Sequence, residues 1–277
     1  MRSSSATAAV LAAAAAALGY AGTGMAAGPL AVGDLAKLTL VEKKVEQIAP
    51  KGWEPAREGV GLRNGGRVRT APDGVARIEF PWMSVGLGPS TLVSFPDEYV
   101  LSTVLEQGRV RLRADGRDIL KLVTPEAEVR GRGQVVVRRQ GDTTLVTAVE
   151  GRFLVEAEGK TIALAAGRGT VARKGQGPLA PQELAAAPLE LAPGRDALYV
   201  APSQVVTLNG KASAPSYSLE VLPVASDVVL IQRDVGPPPW SVEIPWPGAF
   251  RWRISARDGR GLEGLPSADG LICVDEK

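Results

Sequence analysis

Between Leu35 and about Gly175 the sequence runs in short stretches that alternate apolar and polar residues, and a turn follows nearly every stretch. Val110 and Leu112 interleave with Arg109, Arg111 and Arg113, while Phe153 and Val155 interleave with Arg152 and Glu156. A period of two sets one group of side chains on each face of a half-buried strand. The punctuation is NGG, PDG, ADG, QGD and AEGK, which are turn sequences. Asn64-Gly65 and Asp73-Gly74 tolerate the positive φ of tight turns, so RNGGRV and APDGVA are expected to form hairpins. No stretch of this region carries the period of an amphipathic helix. The region is predicted to be wholly β.

Two pieces of it echo each other. LEQGRVRLRADGRDILKL and VEGRFLVEAEGKTIAL share a Gly-Arg step, an alternating strand, a turn and a further apolar strand, and their glycines, Gly108 and Gly151, lie 43 positions apart. Repeated units of this kind stack into an elongated sandwich or a short solenoid. Residues 176–195 are rich in Pro, Ala and Gly and read as a linker, with one or two helical turns expected from Pro181. Residues 196–277 hold further strand candidates at regular spacing, the pattern of a small β-sandwich. At 277 residues there is room for one large domain or two modest ones.

The chain has no histidine and one cysteine, Cys273. Ser-His-Asp and Cys-His arrangements are therefore excluded, as are histidine metal ligands, an intrachain disulfide and a thiolate metal cage. Cys273 alternates with Leu271 in GLICVDEK and reads as a small apolar strand residue. Gly259–Gly264, GRGLEG, matches a dinucleotide-site glycine pattern, but Pro266 follows at once and no helix pattern comes next, so a loop between strands is expected. Glu126, Glu128, Asp115 and Asp118 are available as paired carboxylates; among basic neighbours they read as surface charge.

Charge is nearly balanced, with 32 Lys and Arg against 30 Asp and Glu, which is too even for a dedicated nucleic-acid binder. Residues 109–139 are locally basic, with nine Lys and Arg against four Asp and Glu. Their arginines alternate with Val and Leu, which puts them on the wet face of strands, and no aromatic residue is present for bases to stack on. A solvated sheet face is expected there, with an anionic partner as the alternative. Within EAEVRGRGQVVVRRQGD, Gly131 and Gly133 are expected to bend the chain between one strand and the next. Arg130 is expected to be structural, and Arg132, Arg138 and Arg139 to face solvent.

Residues 1–27 have the layout of a secretory signal peptide: Arg2, an Ala/Leu/Val run over 6–18, then small residues ending at Ala26 and Ala27. The apolar run is short for a membrane anchor, and no later stretch holds enough uninterrupted apolar residues to span a bilayer. The mature protein is expected to be periplasmic or secreted, with no integral membrane segment.

WEPAREGVGLRNGGRVRTAPDGVARIEF resembles the opening of the FecR domain, with Trp53, Gly59, Leu62, Gly65, Val68, Thr70, Ala76 and Phe80 in matching places and Gly66 where an acidic residue is usual. LEQGRVRLR, with Gly108, is similar to a strand of that family. VTPEAEVRGRGQVVV is similar to its Thr-Pro-x-Ala and Val-Arg-Gly segment through Thr124, Pro125, Ala127, Arg130 and Gly131; Arg132 stands where Thr is usual. The stretch around Gly151 follows in the same order, so the resemblance covers 36–175. The C-terminal FRWRISARDGRGLEGLPS resembles fibronectin-III-like or Ig-like modules through Trp252, Arg253, Ala256, Asp258, Gly261, Gly264 and Ser267.

The resemblance implies an all-β FecR-like domain followed by a β-sandwich, used for protein contact or sensing. Well-known FecR proteins are inner-membrane regulators with a cytoplasmic anti-sigma segment, and no such segment is expected in this chain. The expected function is that of a non-enzymatic exported envelope protein, without catalytic residues, cofactor or metal. Its expected partner is an envelope protein or cell-wall glycan, not nucleic acid. A glycan- or peptidoglycan-binding accessory role and a detached periplasmic regulator are the alternatives.

Overall fold

A computed structural model of the chain describes residues 34–96, 102–114, 119–211 and 213–275. The predicted signal peptide, Asp115 and Asp118 lie outside these residues. The described residues form strands and turns with no helix among them, so the all-β expectation holds. They divide into two compact units: residues 34–186 with 256–265, and residues 187–255 with 266–275.

The larger unit is built from β1 (Ala36–Glu42), β2 (Val45–Ala49), β3 (Gly52–Pro55), β4 (Gly61–Leu62), β5 (Arg67–Thr70), β6 (Val75–Glu79), β7 (Ser84–Leu87) and β8 (Leu92–Ser94). It continues with β9 (Thr103–Ala114), β10 (Leu120–Val123), β11 (Glu128–Gln140), β12 (Thr143–Ala157), β13 (Lys160–Ala165), β14 (Arg168–Arg173) and β15 (Gln182–Glu183). One limb of pairing runs β4-β1-β6-β7-β9-β11-β12-β14-β15, and a second runs β3-β2-β5-β8-β9. Both enclose one core, in which Leu38, Val68, Ile78, Val85, Val93, Phe95, Leu105, Leu112, Val129, Val146 and Phe153 are buried.

Three long strands, β9, β11 and β12, organise this unit, and each changes neighbours near a glycine of positive φ. Along one edge β9 pairs with β8 up to Gln107 and with β7 from Val110. Gly108, at φ +91°, lies between; a Cβ there would stand 2.4 Å from the Thr91 hydroxyl oxygen. Strand β11 pairs with β10 over Glu128–Gly131 and with β9 from Gly133, while β12 pairs with β14 up to Ala148 and with β13 from Arg152. Gly133 and Gly151 face each other across the β11–β12 pair, at φ +105° and +85°. A Cβ on Gly151 would stand 2.0 Å from the Arg132 carbonyl oxygen. Only glycine lets two backbones approach so closely in that conformation. The Gly-Arg echo therefore marks a bend inside a strand. Gly131 and Gly133 likewise lie within one 13-residue strand, not between two strands as expected.

Two turn expectations need correction. RNGGRV leads from β4 to β5 and APDGVA from β5 to β6, and neither pair of strands is hydrogen-bonded together: β4 pairs with β1, β5 with β2 and β8, β6 with β1 and β7. The turn chemistry is local, whereas the partner is chosen by burial of each strand's apolar face. Hairpins do form at QGD and AEGK, where Gln140 pairs with Thr143 and Ala157 with Lys160. The helical turns expected from Pro181 are replaced by β15, whose Gln182 and Glu183 pair with Gly169 and Arg168. Pairing with a waiting strand edge outweighs a weak helical propensity.

The smaller unit holds β16 (Leu189–Ala192), β17 (Leu198–Val200), β18 (Val205–Lys211), β19 (Ser216–Pro223), β20 (Ile231–Val235), β21 (Trp240–Glu243), most of β22 (Gly248–Arg257), the end of β23 (Glu263–Pro266) and β24 (Gly270–Val274). Strands β16-β18-β21 form one sheet and β17-β24-β22-β19-β20 another, with β23 beside β22. Trp240 of the first sheet meets Tyr217 and Trp252 of the second edge to face, at ring distances of 5.4 and 6.3 Å. This packing of two sheets on aromatic side chains is that of a small β-sandwich.

Candidate contact surface

Most of the motif residues serve the backbone. The Thr70 hydroxyl donates to the Gly88 carbonyl at 2.6 Å and accepts from the Thr91 amide at 2.9 Å, tying β5 to the chain before β9. Gly59 and Gly65 supply positive φ in turns, and the Gly65 amide donates to the Phe95 carbonyl at 2.6 Å. Trp252 is fully buried and its indole N–H donates to the Pro193 carbonyl at 3.1 Å. The Asp258 carboxylate accepts from the amides of Arg260 and Leu262, each at 2.9 Å, and shapes the loop that ends at Gly264. A Cβ on Gly264 would stand 2.5 Å from the Ala185 carbonyl.

The Thr-Pro-Glu-Ala turn between β10 and β11 hides an ion pair. Thr124 accepts from the Ala127 amide at 2.9 Å, with Pro125 exposed at the tip. This turns the Glu126 side chain inward, where none of it is exposed. Arg139 reaches it with Nη2 at 2.7 Å and Nε at 2.9 Å, and the Thr144 hydroxyl lies 2.8 Å from the same carboxylate. Burial pushes the Glu126 carboxyl up, but the hydrogen bonds from Arg139 and Thr144 outweigh it, and the group sits below its ordinary range. Glu126 is thus not surface charge, and Arg139 does not face solvent as expected. A buried carboxylate must be paired, and Arg139 supplies the pairing. Arg130 is exposed on β11 and pairs with its neighbour Glu128, so its ion pair is a surface one.

Arg109 is a second correction to the wet-face expectation. It is buried, and it holds Glu263 through two bonds of 2.8 and 2.6 Å. The Glu263 carbonyl accepts from the Thr147 hydroxyl at 2.8 Å, and Leu262 packs on Leu145 and Val171. Residues 256–265 thus cover part of the outer face of the larger unit's sheet. Across that covered part, Arg109 stands opposite Arg138, Arg138 opposite Leu145, and Leu145 opposite Val171.

The same outer face continues past the Gly133–Gly151 bend without a cover among the described residues. There Arg132 stands opposite Arg152 and Arg152 opposite Ala165; in the next row Arg130 stands opposite Leu154 and Leu154 opposite Ala163. All six are exposed, Leu154 to 51%, and Ile119, just before β10, is exposed to 59%. Arg132 and Arg152 have no ion pair among the described residues. Directly opposed like charges destabilise a strand pair. Arg132 was placed in solvent by its spacing, but its opposition to Arg152 needed the register, which no local pattern encodes.

The aromatic candidate, Trp53, is already occupied. The Arg69 guanidinium lies 4.2 Å from its ring centre and also donates to Glu46 at 2.7 Å, while Arg67 pairs with Glu106 at 2.6 Å. The bond from Arg69 holds the Glu46 carboxyl below its ordinary range. Among the described residues no group of three or more Cys, Asp or Glu is arranged to hold a metal ion, and no helix is long and apolar enough to cross a membrane.

The described residues define an all-β protein of β-sandwich type, with an exposed sheet face that carries Arg130, Arg132 and Arg152. No protein-family model matches the chain, and no curated protein matches it. Among solved structures it is similar to two crystal structures of a candidate anti-sigma factor from Parabacteroides distasonis, at 16% identity and TM-scores of 0.37 and 0.36. Each match covers 42% of this chain and 59% of that one.

Proposed function

We propose that this chain is an exported, non-enzymatic envelope protein whose larger unit is a FecR-like contact or sensing module. The observation that carries the reading is the uncovered outer face of β11, β12 and β13. It exposes Leu154 to 51%, and it keeps two opposed arginines without an ion pair among the described residues. A surface that spends stability in this way is explained by a partner that covers it. FecR-like motifs at Gly108, Thr124 and Gly151 lie on or beside the long strands of this sheet, which supports assigning contact to the FecR-like unit as a whole.

The test is site-specific photocrosslinking in intact cells, with the crosslinker placed at Leu154 and, as control, at exposed Asp73. Capture of one discrete envelope protein from Leu154 alone supports the reading. Capture of cell-wall glycan in its place would move the function to a glycan-binding accessory role, and equal labelling from both sites would remove the face from consideration.

A further inference from the structure

We infer that the open half of this sheet face takes a short, extended acidic segment of a partner protein, with a carboxylate between Arg132 and Arg152 and an apolar side chain on Leu154. The inference rests on the reading of the larger unit as a protein-contact module and names the chemistry of its partner.

The covered half of the face shows how such a surface is satisfied. There, too, two arginines oppose each other, Arg109 and Arg138, and an apolar pair lies beside them, Leu145 and Val171. Consecutive residues of one segment meet both needs: Leu262 fills the apolar pair, and the Glu263 carboxylate grips Arg109 through two bonds. The open half offers similar ingredients on β11 and β12, with Arg132 opposite Arg152 and Leu154 in the neighbouring row. A carboxylate placed there removes the cross-strand repulsion and gains charge-assisted, bidentate geometry. Alternate side chains of an extended segment point the same way and are about 7 Å apart, the step between the row of Arg132 and Arg152 and the row of Leu154, which suits a carboxylate and an apolar residue two positions apart.

The same face disfavours a long polyanion. Glu128 and Glu156 oppose each other one row beyond Arg130 and Leu154, so negative charge bounds the patch on that side. Neither of the rows through Arg132 and Leu154 holds an aromatic side chain, so nucleic-acid bases find no stacking platform.

The test uses the purified full-length mature protein and fluorescence anisotropy with four probes: a labelled peptide of Ser and Thr with a central Glu-Thr-Leu, its Gln-Thr-Leu twin, a single-stranded oligonucleotide and an oligogalacturonate. The expected result is binding of the acidic peptide, with the Gln twin weaker by about tenfold or more. The double variant Arg132→Gln/Arg152→Gln should lower the affinity for the acidic peptide by a similar factor, and Leu154→Ser by a smaller one. Both arginines are exposed, and the thermal melt of the double variant serves to show that it is folded. Acidic-peptide binding that is absent, or indifferent to the double variant, overturns the inference. So does oligonucleotide or oligogalacturonate binding that is equally tight and equally dependent on the arginines. If the peptides fail while Leu154 still crosslinks to one protein in cells, only the acidic chemistry falls; if that capture also fails, the contact reading falls with it.

Discussion

At the scale of single residues, buried charge decides more than surface charge. Glu126 has no exposed side chain and depends on Arg139 and Thr144. Glu126→Gln should cost about 3 kcal/mol, measured by urea denaturation, because it leaves the Arg139 guanidinium without its counter-charge. The folded carboxyl titrates below its unfolded value of about 4.3. Its stabilisation is therefore complete at pH values above the unfolded pKa and is lost as pH falls through the folded one. Melting temperature should drop in that acid window, and the Gln variant should drop less steeply. Cys273 behaves in the opposite sense. Burial, with Asp275 beside it, pushes its thiol above the ordinary range, so iodoacetamide should label it more slowly than a free thiol at pH 8 or so. Its alternation with Leu271 already placed it in a strand. Glu126 was not legible, because a Thr-Pro-Glu-Ala turn gives no local sign of which way its carboxylate points.

At the scale of elements, glycines inside strands carry the architecture. Gly151→Ala places a Cβ against the Arg132 carbonyl in a backbone conformation that costs L-residues about 1–2 kcal/mol on its own. A loss of about 2 kcal/mol or more is expected by chemical denaturation. Gly141 is the control: at φ +57° it sits in the hairpin turn with nothing within 4 Å of an added Cβ. Gly141→Asn should change stability by only a few tenths of a kcal/mol, since Asn tolerates this region. The alternation of Val110 with Leu112 and of Phe153 with Val155 is enough to read β9 and β12 as strands. It does not reveal that each strand serves two sets of neighbours, because the change of partner at Gly108 or Gly151 is a property of the strands alongside. For the same reason Asn64-Gly65 and Asp73-Gly74 were read correctly as turns and wrongly as hairpins.

At the scale of the whole molecule, residues 256–265 are distant in sequence from the unit they complete. Glu263→Ala should destabilise the protein by about 3–5 kcal/mol, measured by thermal or urea unfolding, because Arg109 stays buried without a counter-charge. The paired change Arg109→Met with Glu263→Leu should recover most of that loss, since an apolar pair of similar volume needs no desolvated charge. The sequence by itself determined the all-β class, the strand faces and the exposure of Arg132. These follow from period-two patterning and turn chemistry, which are local. Only the tertiary structure decided that Arg109 and Arg139 are internal, that Arg132 opposes Arg152, and that half of one sheet face is covered while half stays open. Those outcomes depend on register and on segments brought together across the chain, and the energy that selects them is burial shared between residues far apart in sequence.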